Sequence, residues 1–73
     1  MKSYEEMNEI EYAEAVTEYA DLLASLADGW TENDVWEDLM QVRVDGDGFI
    51  ETMTDDQLWS FAQAIVRKME ETK

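Results

Sequence analysis

The chain has 73 residues, with 19 Asp and Glu against 5 Lys and Arg and a formal net charge of −14 at pH 7. It contains no cysteine, which excludes disulfides, thiol catalysis and thiolate metal sites, and no histidine, the commonest general base and transition-metal ligand. This length predicts one small domain, and a hydrophobic content of 45% argues against disorder. No apolar run approaches a membrane span and no signal peptide is visible, so we expect a cytoplasmic protein.

The first predicted element is a helix from Ser3 to about Ala27. Ser3 and Glu6 have the spacing of a capping box, and an Asp-Gly pair at 28–29 is expected to stop the helix. Met7 and Ile10 fall on its acidic side, which predicts a bend near residue 10 or, alternatively, a contact with a dimer partner. The apolar face comprises Tyr12, Ala15, Val16, Tyr19, Leu23 and Leu26, and the acidic face comprises Glu11, Glu14, Glu18 and Asp21.

A second, short helix and a β-hairpin are predicted next. Thr31 is a favourable N-cap, and the helix should end near Met40 or Gln41. Residues 41–44 and 49–52 contain β-branched residues and flank a glycine-rich turn at 45–48, and Asp-Gly is a favoured hairpin dipeptide.

A final helix is predicted from the capping box of Thr54 and Gln57 to about Glu70. The sequence therefore predicts an α+β fold, a single domain over residues 1–73 in the order α-α-β-β-α, with the helices packed on the short hairpin. The expected core is Tyr19, Leu23, Leu26, Trp36, Leu39, Val44, Ile50, Leu58, Phe61 and Ile65, with Trp30 and Trp59 as further members.

The glycine-rich turn resembles the middle of an EF-hand calcium loop, which needs oxygen ligands at positions 1, 3, 5 and 12 and glycine at position 6. With Gly48 at position 6, Asp45 and Asp47 occupy positions 3 and 5. Position 1 is then Arg43 and position 12 is Thr54, neither of which can replace a carboxylate ligand. We therefore expect a plain turn, and no metal or cofactor.

Neither an enzyme nor a nucleic-acid-binding protein is predicted. No glycine-rich phosphate loop or nucleophile turn is present, and so short a chain has little volume for a cleft that shifts the pKa of one carboxyl in a pair. Direct binding of nucleic acid requires basic groups that neutralise phosphates. Three of the five basic residues lie in the last seven positions.

The most informative stretch runs from Ser3 to Gln41, which carries twelve carboxylates and neither Lys nor Arg. Its apolar residues should fold it, so the charges are expected on a rigid surface of one sign, which attracts basic grooves. Solubility or adaptation to high salt is the simpler explanation. The candidate partner-binding residues are Glu11, Glu14, Glu18, Asp21, Asp28, Trp30, Glu32, Asp34, Glu37 and Asp38, with Tyr4 and Tyr12 as further exposed aromatic anchors.

In size, charge and one-sided acidity, the chain resembles the small acidic proteins that mimic nucleic acid. Many of these are bacteriophage inhibitors of host defences, such as anti-CRISPR and anti-restriction proteins, or inhibitors of DNA-repair enzymes. The resemblance implies a non-enzymatic inhibitor, in the host cytoplasm, that binds a basic nucleic-acid-binding protein, with a CRISPR effector as the first candidate. The alternative is a small acidic adaptor or regulatory subunit with a hydrophobic interface formed by Met7, Ile10 and Trp30, for which a homodimer is one option.

Overall fold

The computed structural model describes residues 3–46 and 48–71, and these residues form three α-helices and two short 3-10 turns. Helix α1 spans Glu9–Leu26, α2 spans Glu32–Asp45 and α3 spans Asp55–Glu71. The first 3-10 turn is Tyr4–Glu6 and the second is Gly48–Thr52. No described residue belongs to a strand, so the predicted α+β fold with the order α-α-β-β-α is wrong, and the described part of the chain is all-α.

A longer α2 replaces the first strand of the predicted hairpin. Residues 41–44 continue this helix, because Val35, Leu39 and Val42 recur at helical spacing and all three contact the core. Gly46 then ends α2 in the left-handed conformation, with φ 74° and ψ 36°, and its N–H donates to carbonyls of the last turn. A left-handed glycine is a common helix cap as well as a hairpin residue, so the Asp-Gly pair is compatible with either structure.

The predicted first helix is interrupted at its N-terminal end. Met7 has extended backbone angles, and α1 begins only after Asn8, whose Oδ1 accepts a hydrogen bond from the Glu11 N–H at 2.8 Å. The Glu11 carboxylate accepts in return from the Asn8 N–H at 3.3 Å. Ser3 is the N-cap residue of the first 3-10 turn, but its side chain makes no capping hydrogen bond, and its hydroxyl donates to the Glu6 carboxylate at 3.1 Å. This break takes the place of the bend predicted near residue 10.

The predicted caps of the other two helices are confirmed. Thr31 Oγ1 accepts from the Asp34 N–H at 3.2 Å, and the Asp34 carboxylate accepts from the Thr31 N–H at 3.1 Å. Thr54 and Gln57 make the same reciprocal pair at 3.2 and 2.9 Å. Because each capping box involves only two residues three positions apart, it can be predicted from the sequence.

Helix α3 is the element on which the other two helices pack. Both α1 and α2 contact α3 extensively and contact one another far less, while the second 3-10 turn packs on α2 and the first 3-10 turn packs on the second. The buried core consists of Ala15, Val16, Ala20 and Leu23 of α1, Val35 and Leu39 of α2, Ile50 and Met53 between α2 and α3, and Leu58, Phe61, Ala62, Ile65, Val66 and Met69 of α3.

Most of the predicted core is confirmed, and two members are wrong. Leu26 is 67% exposed because it is the last residue of α1, and Val44 is 77% exposed because residues 41–44 are helical rather than a strand. Met53 is buried without having been predicted, since it lies outside any periodic segment. Buried as predicted are Leu23, Leu39, Ile50, Leu58, Phe61 and Ile65, and Tyr19, Trp30 and Trp36 pack against them half-buried.

Three elements, α1, the second 3-10 turn and α3, meet at the fully buried ring of Phe61. The rings of Tyr12, Tyr19 and Phe49 lie at centroid distances of 5.7, 5.6 and 5.7 Å from it, tilted or edge-on. Tyr4 adds an edge contact with Tyr12 at 6.2 Å. Each aromatic pair of this kind typically adds about 0.5–1.5 kcal/mol beyond its buried area. Burial raises the pKa of the Tyr12 phenol, and Tyr4 is the second cause of that rise.

Replacement of Val44 distinguishes the helix from the predicted hairpin. Because Val44 lies on the exposed face of α2, Val44→Ala should leave the free energy of unfolding unchanged or raise it by up to about 0.5 kcal/mol. Alanine has the higher helix propensity of the two residues. Leu39→Ala, the buried control on the same helix, should lower it by about 2–5 kcal/mol. Urea denaturation followed by circular dichroism measures both, and a large loss for Val44→Ala would contradict the helical assignment.

Replacement of Tyr12 tests the pKa shift. A raised pKa favours the neutral phenol in the folded protein, so this contribution to stability is present below the unfolded pKa of 10.0 and is lost as the pH rises through the folded pKa. We expect the free energy of unfolding to fall more steeply above pH 10 in the wild-type protein than in Tyr12→Phe. Parallel urea titrations at several alkaline pH values measure this difference, and identical slopes would refute it.

Candidate functional site

Five of the predicted partner-binding residues line one concavity of about 450 Å³ where α1 leads into α2. A short loop makes this possible, because Gly29 adopts φ 78° and turns the chain back towards α2. Spacings of three and four then place the acidic residues of α2 on neighbouring turns of one face. We call this surface the acidic concavity; it is lined by Asp28, Trp30, Asp34, Glu37 and Asp38, together with Ala27 and Gly29.

Trp30 holds the wall of the acidic concavity in place. Its indole Nε1–H donates to the Leu23 carbonyl at 2.8 Å, and that carbonyl also accepts from the Ala27 N–H at 3.2 Å. The Trp30 side chain is half-buried, and with Val66 and Met69 it lines a second, smaller depression of about 170 Å³. Trp30 is therefore a structural contact of the α1 end as well as a lining residue, rather than a freely exposed anchor.

The carboxylates of the acidic concavity have no basic residue among those that line it. Arg43 is used elsewhere, since its guanidinium pairs with Asp55 at 2.7 Å and donates to the Met53 carbonyl at 3.3 Å, joining the end of α2 to the start of α3. Arg67 and Lys68 lie near the C-terminal end of α3. The concavity therefore presents a negative potential to the solvent.

The acidic residues predicted on α1 are distributed over a different surface. Glu14 and Glu18 are exposed and line a shallow, solvent-open concavity along one face of α1. Glu11 is half-buried and takes part in the N-cap. Asp21 is exposed but, like Glu11 and Glu32, lines neither concavity.

The α1 concavity was not predicted as a site. Its remaining lining residues are Glu9, Ile10, Ala13 and Thr17, and the Ile10 side chain is 70% exposed. In the sequence, Ile10 is out of phase with the apolar face of the helix. The missed signal was its spacing of three and seven residues from Ala13 and Thr17, two small side chains on the same side of the helix.

The aromatic anchors predicted near the N-terminus are partly buried by contacts within the protein. Tyr4 and Tyr12 are half-buried, contact one another and belong to the cluster around Phe61. With Met7 they line a depression of about 340 Å³. Their rings are already engaged in edge contacts, so they offer a partner only part of their surface.

The residues compared with a calcium loop do not form one in the described structure. Asp45 is the last residue of α2, and its carboxylate accepts from the Gln41 amide at 3.2 Å. Arg43 is paired with Asp55, and Asp47 lies outside the described residues. Across residues 3–46 and 48–71, no group of three or more acidic side chains has a geometry that could hold a metal ion.

Comparison of the chain with models of protein families, with curated proteins and with solved structures found no match. Among the described helices, none combines the length and the apolar character that crossing a membrane would require. The function is therefore inferred from the charge and geometry of the two concavities.

Removal of the Trp30 hydrogen bond tests its structural role. Trp30→Phe should lower the free energy of unfolding by about 0.5–1.5 kcal/mol, because the Leu23 carbonyl loses one of its two donors. Differential scanning calorimetry measures the effect. Trp59→Phe is the matched control, since the Trp59 indole on α3 makes no hydrogen bond to any described residue. An equal loss of stability in both variants would contradict the structural role of the Trp30 hydrogen bond.

Proposed function

We propose that the protein is a non-enzymatic inhibitor that binds a basic nucleic-acid-binding surface of another protein. The observation that carries this proposal is the acidic concavity, in which four carboxylates from the loop and α2 converge without a basic residue in the lining. The proposed target is a host defence protein, with a CRISPR effector as the first to be tested, in keeping with the resemblance to phage-type nucleic-acid mimics. In that setting the protein would act in the cytoplasm of the host cell.

The spacing of the carboxylates supports recognition of a groove that normally holds phosphates. Asp34 lies three and four residues before Glu37 and Asp38 on α2. At these spacings the Cβ atom of Asp34 is about 5–6 Å from the Cβ atom of each of the other two residues. Lys and Arg side chains that neutralise a phosphate backbone bind carboxylates by the same charge-assisted hydrogen bonds. A protein that fills the groove with carboxylates excludes the nucleic acid by competition, without any chemical reaction.

A rigid frame strengthens this interaction. The Thr31–Asp34 capping box fixes the start of α2, and Trp30 fixes the loop before it. A partner therefore does not have to order the backbone that carries these carboxylates on binding, which reduces the entropic cost of association. Attraction between opposite charges also makes association fast and sensitive to salt.

Charge reversal in the acidic concavity tests the proposal. Glu37→Lys/Asp38→Lys should weaken binding to a responsive CRISPR effector by at least about tenfold, since two contacts become repulsive. The matched control is Glu5→Lys/Glu71→Lys, which reverses two exposed carboxylates outside the concavity. Each reversal changes the net charge by +2, so both double variants carry −10 instead of −14. The control should lose less than about threefold.

Competition with labelled target DNA for purified effectors, at low and at high salt, is the measurement. Displacement of DNA at low salt that is relieved at high salt is the expected result. The proposal fails if the protein binds none of a panel of basic DNA-handling proteins at low salt. Equal losses in the two double variants would show that net charge, rather than the acidic concavity, controls binding.

A second candidate function, a small acidic adaptor or regulatory subunit, is favoured by the exposure of Ile10. The three residues proposed for its interface do not form one surface, since Met7, Ile10 and Trp30 line different depressions. Met7 and Trp30 also pack against the core. Ile10 alone therefore carries this candidate.

A further inference from the structure

The concavity on α1 differs in chemistry from the acidic concavity. Its centre is the row Ile10, Ala13 and Thr17, and its margins carry Glu14 and Glu18 on one side and Glu9 on the other. We call this surface the Ile10 groove. The Ile10 side chain is 70% exposed in the middle of this acidic face, so the surface offers apolar contact as well as charge.

The row has the geometry of a helix-docking surface. Ile10, Ala13 and Thr17 follow one another at spacings of three and four along α1. Ala13 and Thr17 are small, so another helix can approach the α1 backbone closely beside the larger Ile10. The Thr17 hydroxyl donates to the Ala13 carbonyl at 3.0 Å, so it needs no hydrogen-bond partner from outside the helix.

The charges at the margins determine which occupant fits. A second copy of the chain would bring the three glutamates of each groove together, between two molecules that each carry −14. None of the lining residues is basic, so nothing in the groove would compensate that repulsion. A nucleic acid is repelled for the same reason. A helix with an apolar row flanked by Lys and Arg matches both the groove and its margins.

We propose that the Ile10 groove binds a basic amphipathic helix of a partner protein. The apolar row of that helix packs on Ile10, Ala13 and Thr17, and its flanking cations pair with Glu14 and Glu18 on one side and Glu9 on the other. This interaction goes beyond the proposed function, because it uses a different surface and requires a helix rather than a nucleic-acid-binding groove.

Two synthetic peptides test the proposal on the intact protein. The first is a helix of about 18 residues, long enough to be helical, with leucines on one face and lysines elsewhere. The second has the same composition with the leucines distributed around the helix. At about 0.15 M salt, the amphipathic peptide should bind at least about tenfold more tightly than the scrambled one. Its amide chemical-shift changes should centre on residues 9–18 of the protein.

Substitution of Ile10 provides the second measurement. Ile10→Ser and Ile10→Ala should each weaken binding of the amphipathic peptide by at least about fivefold, and because the side chain is exposed, both variants should remain folded. Val44→Ser is the matched control, since Val44 is an apolar residue of comparable exposure on α2, outside the groove. It should change the affinity by less than about twofold.

Several results would overturn the inference. Equal binding of the two peptides, or no effect of either Ile10 variant, would show that charge alone attracts the peptide. Shift changes centred on the acidic concavity would assign the helix to that surface. A wild-type dimer in sedimentation equilibrium that Ile10→Ser abolishes would identify a second copy as the occupant. Because Glu37→Lys/Asp38→Lys tests the acidic concavity separately, failure of this inference is distinguishable from failure of the proposed function.

Discussion

Burial of the apolar face of α3 is the interaction on which the rest of the structure depends. Both α1 and α2 pack on α3 and scarcely on each other, and the Phe61 ring joins α1, the second 3-10 turn and α3. A chain of this length buries only about 60% of its unfolded surface, and a net charge of −14 opposes compaction. The aromatic and aliphatic contacts around α3 must therefore offset both the loss of chain entropy and the electrostatic repulsion.

The same packing explains why the surface is so strongly acidic. No polar or charged residue among those described is buried, since an uncompensated buried carboxylate would cost several kcal/mol. Nineteen acidic residues and a wholly apolar described core leave the outer faces of the helices to carry the charge. Arg43, the basic residue nearest the middle of the chain, is used to connect α2 with α3 rather than to neutralise these faces.

Two surfaces of different chemistry result from this arrangement. The acidic concavity is lined by four carboxylates, and its wall is held by Trp30 and by the Thr31–Asp34 cap, so it suits cations that would otherwise contact phosphates. The Ile10 groove combines apolar contact with flanking carboxylates, so it suits a helix that is both basic and amphipathic. Net charge attracts a basic partner to either surface, whereas local shape and polarity decide which surface it occupies.

Local signals in the sequence determined the acidity, the caps at Thr31 and Thr54, and the apolar faces of α1 and α3, because these depend on residues three or four apart. Only the tertiary structure decided residues 41–46 and 48–52, where β-branched residues and an Asp-Gly pair are compatible with a hairpin or with a helix end. Packing of Val35, Leu39 and Val42 on the core favours the helix there. Convergence of Asp28 with Asp38, like burial of Met53, likewise depends on the path of a loop, which hydrophobic periodicity does not encode.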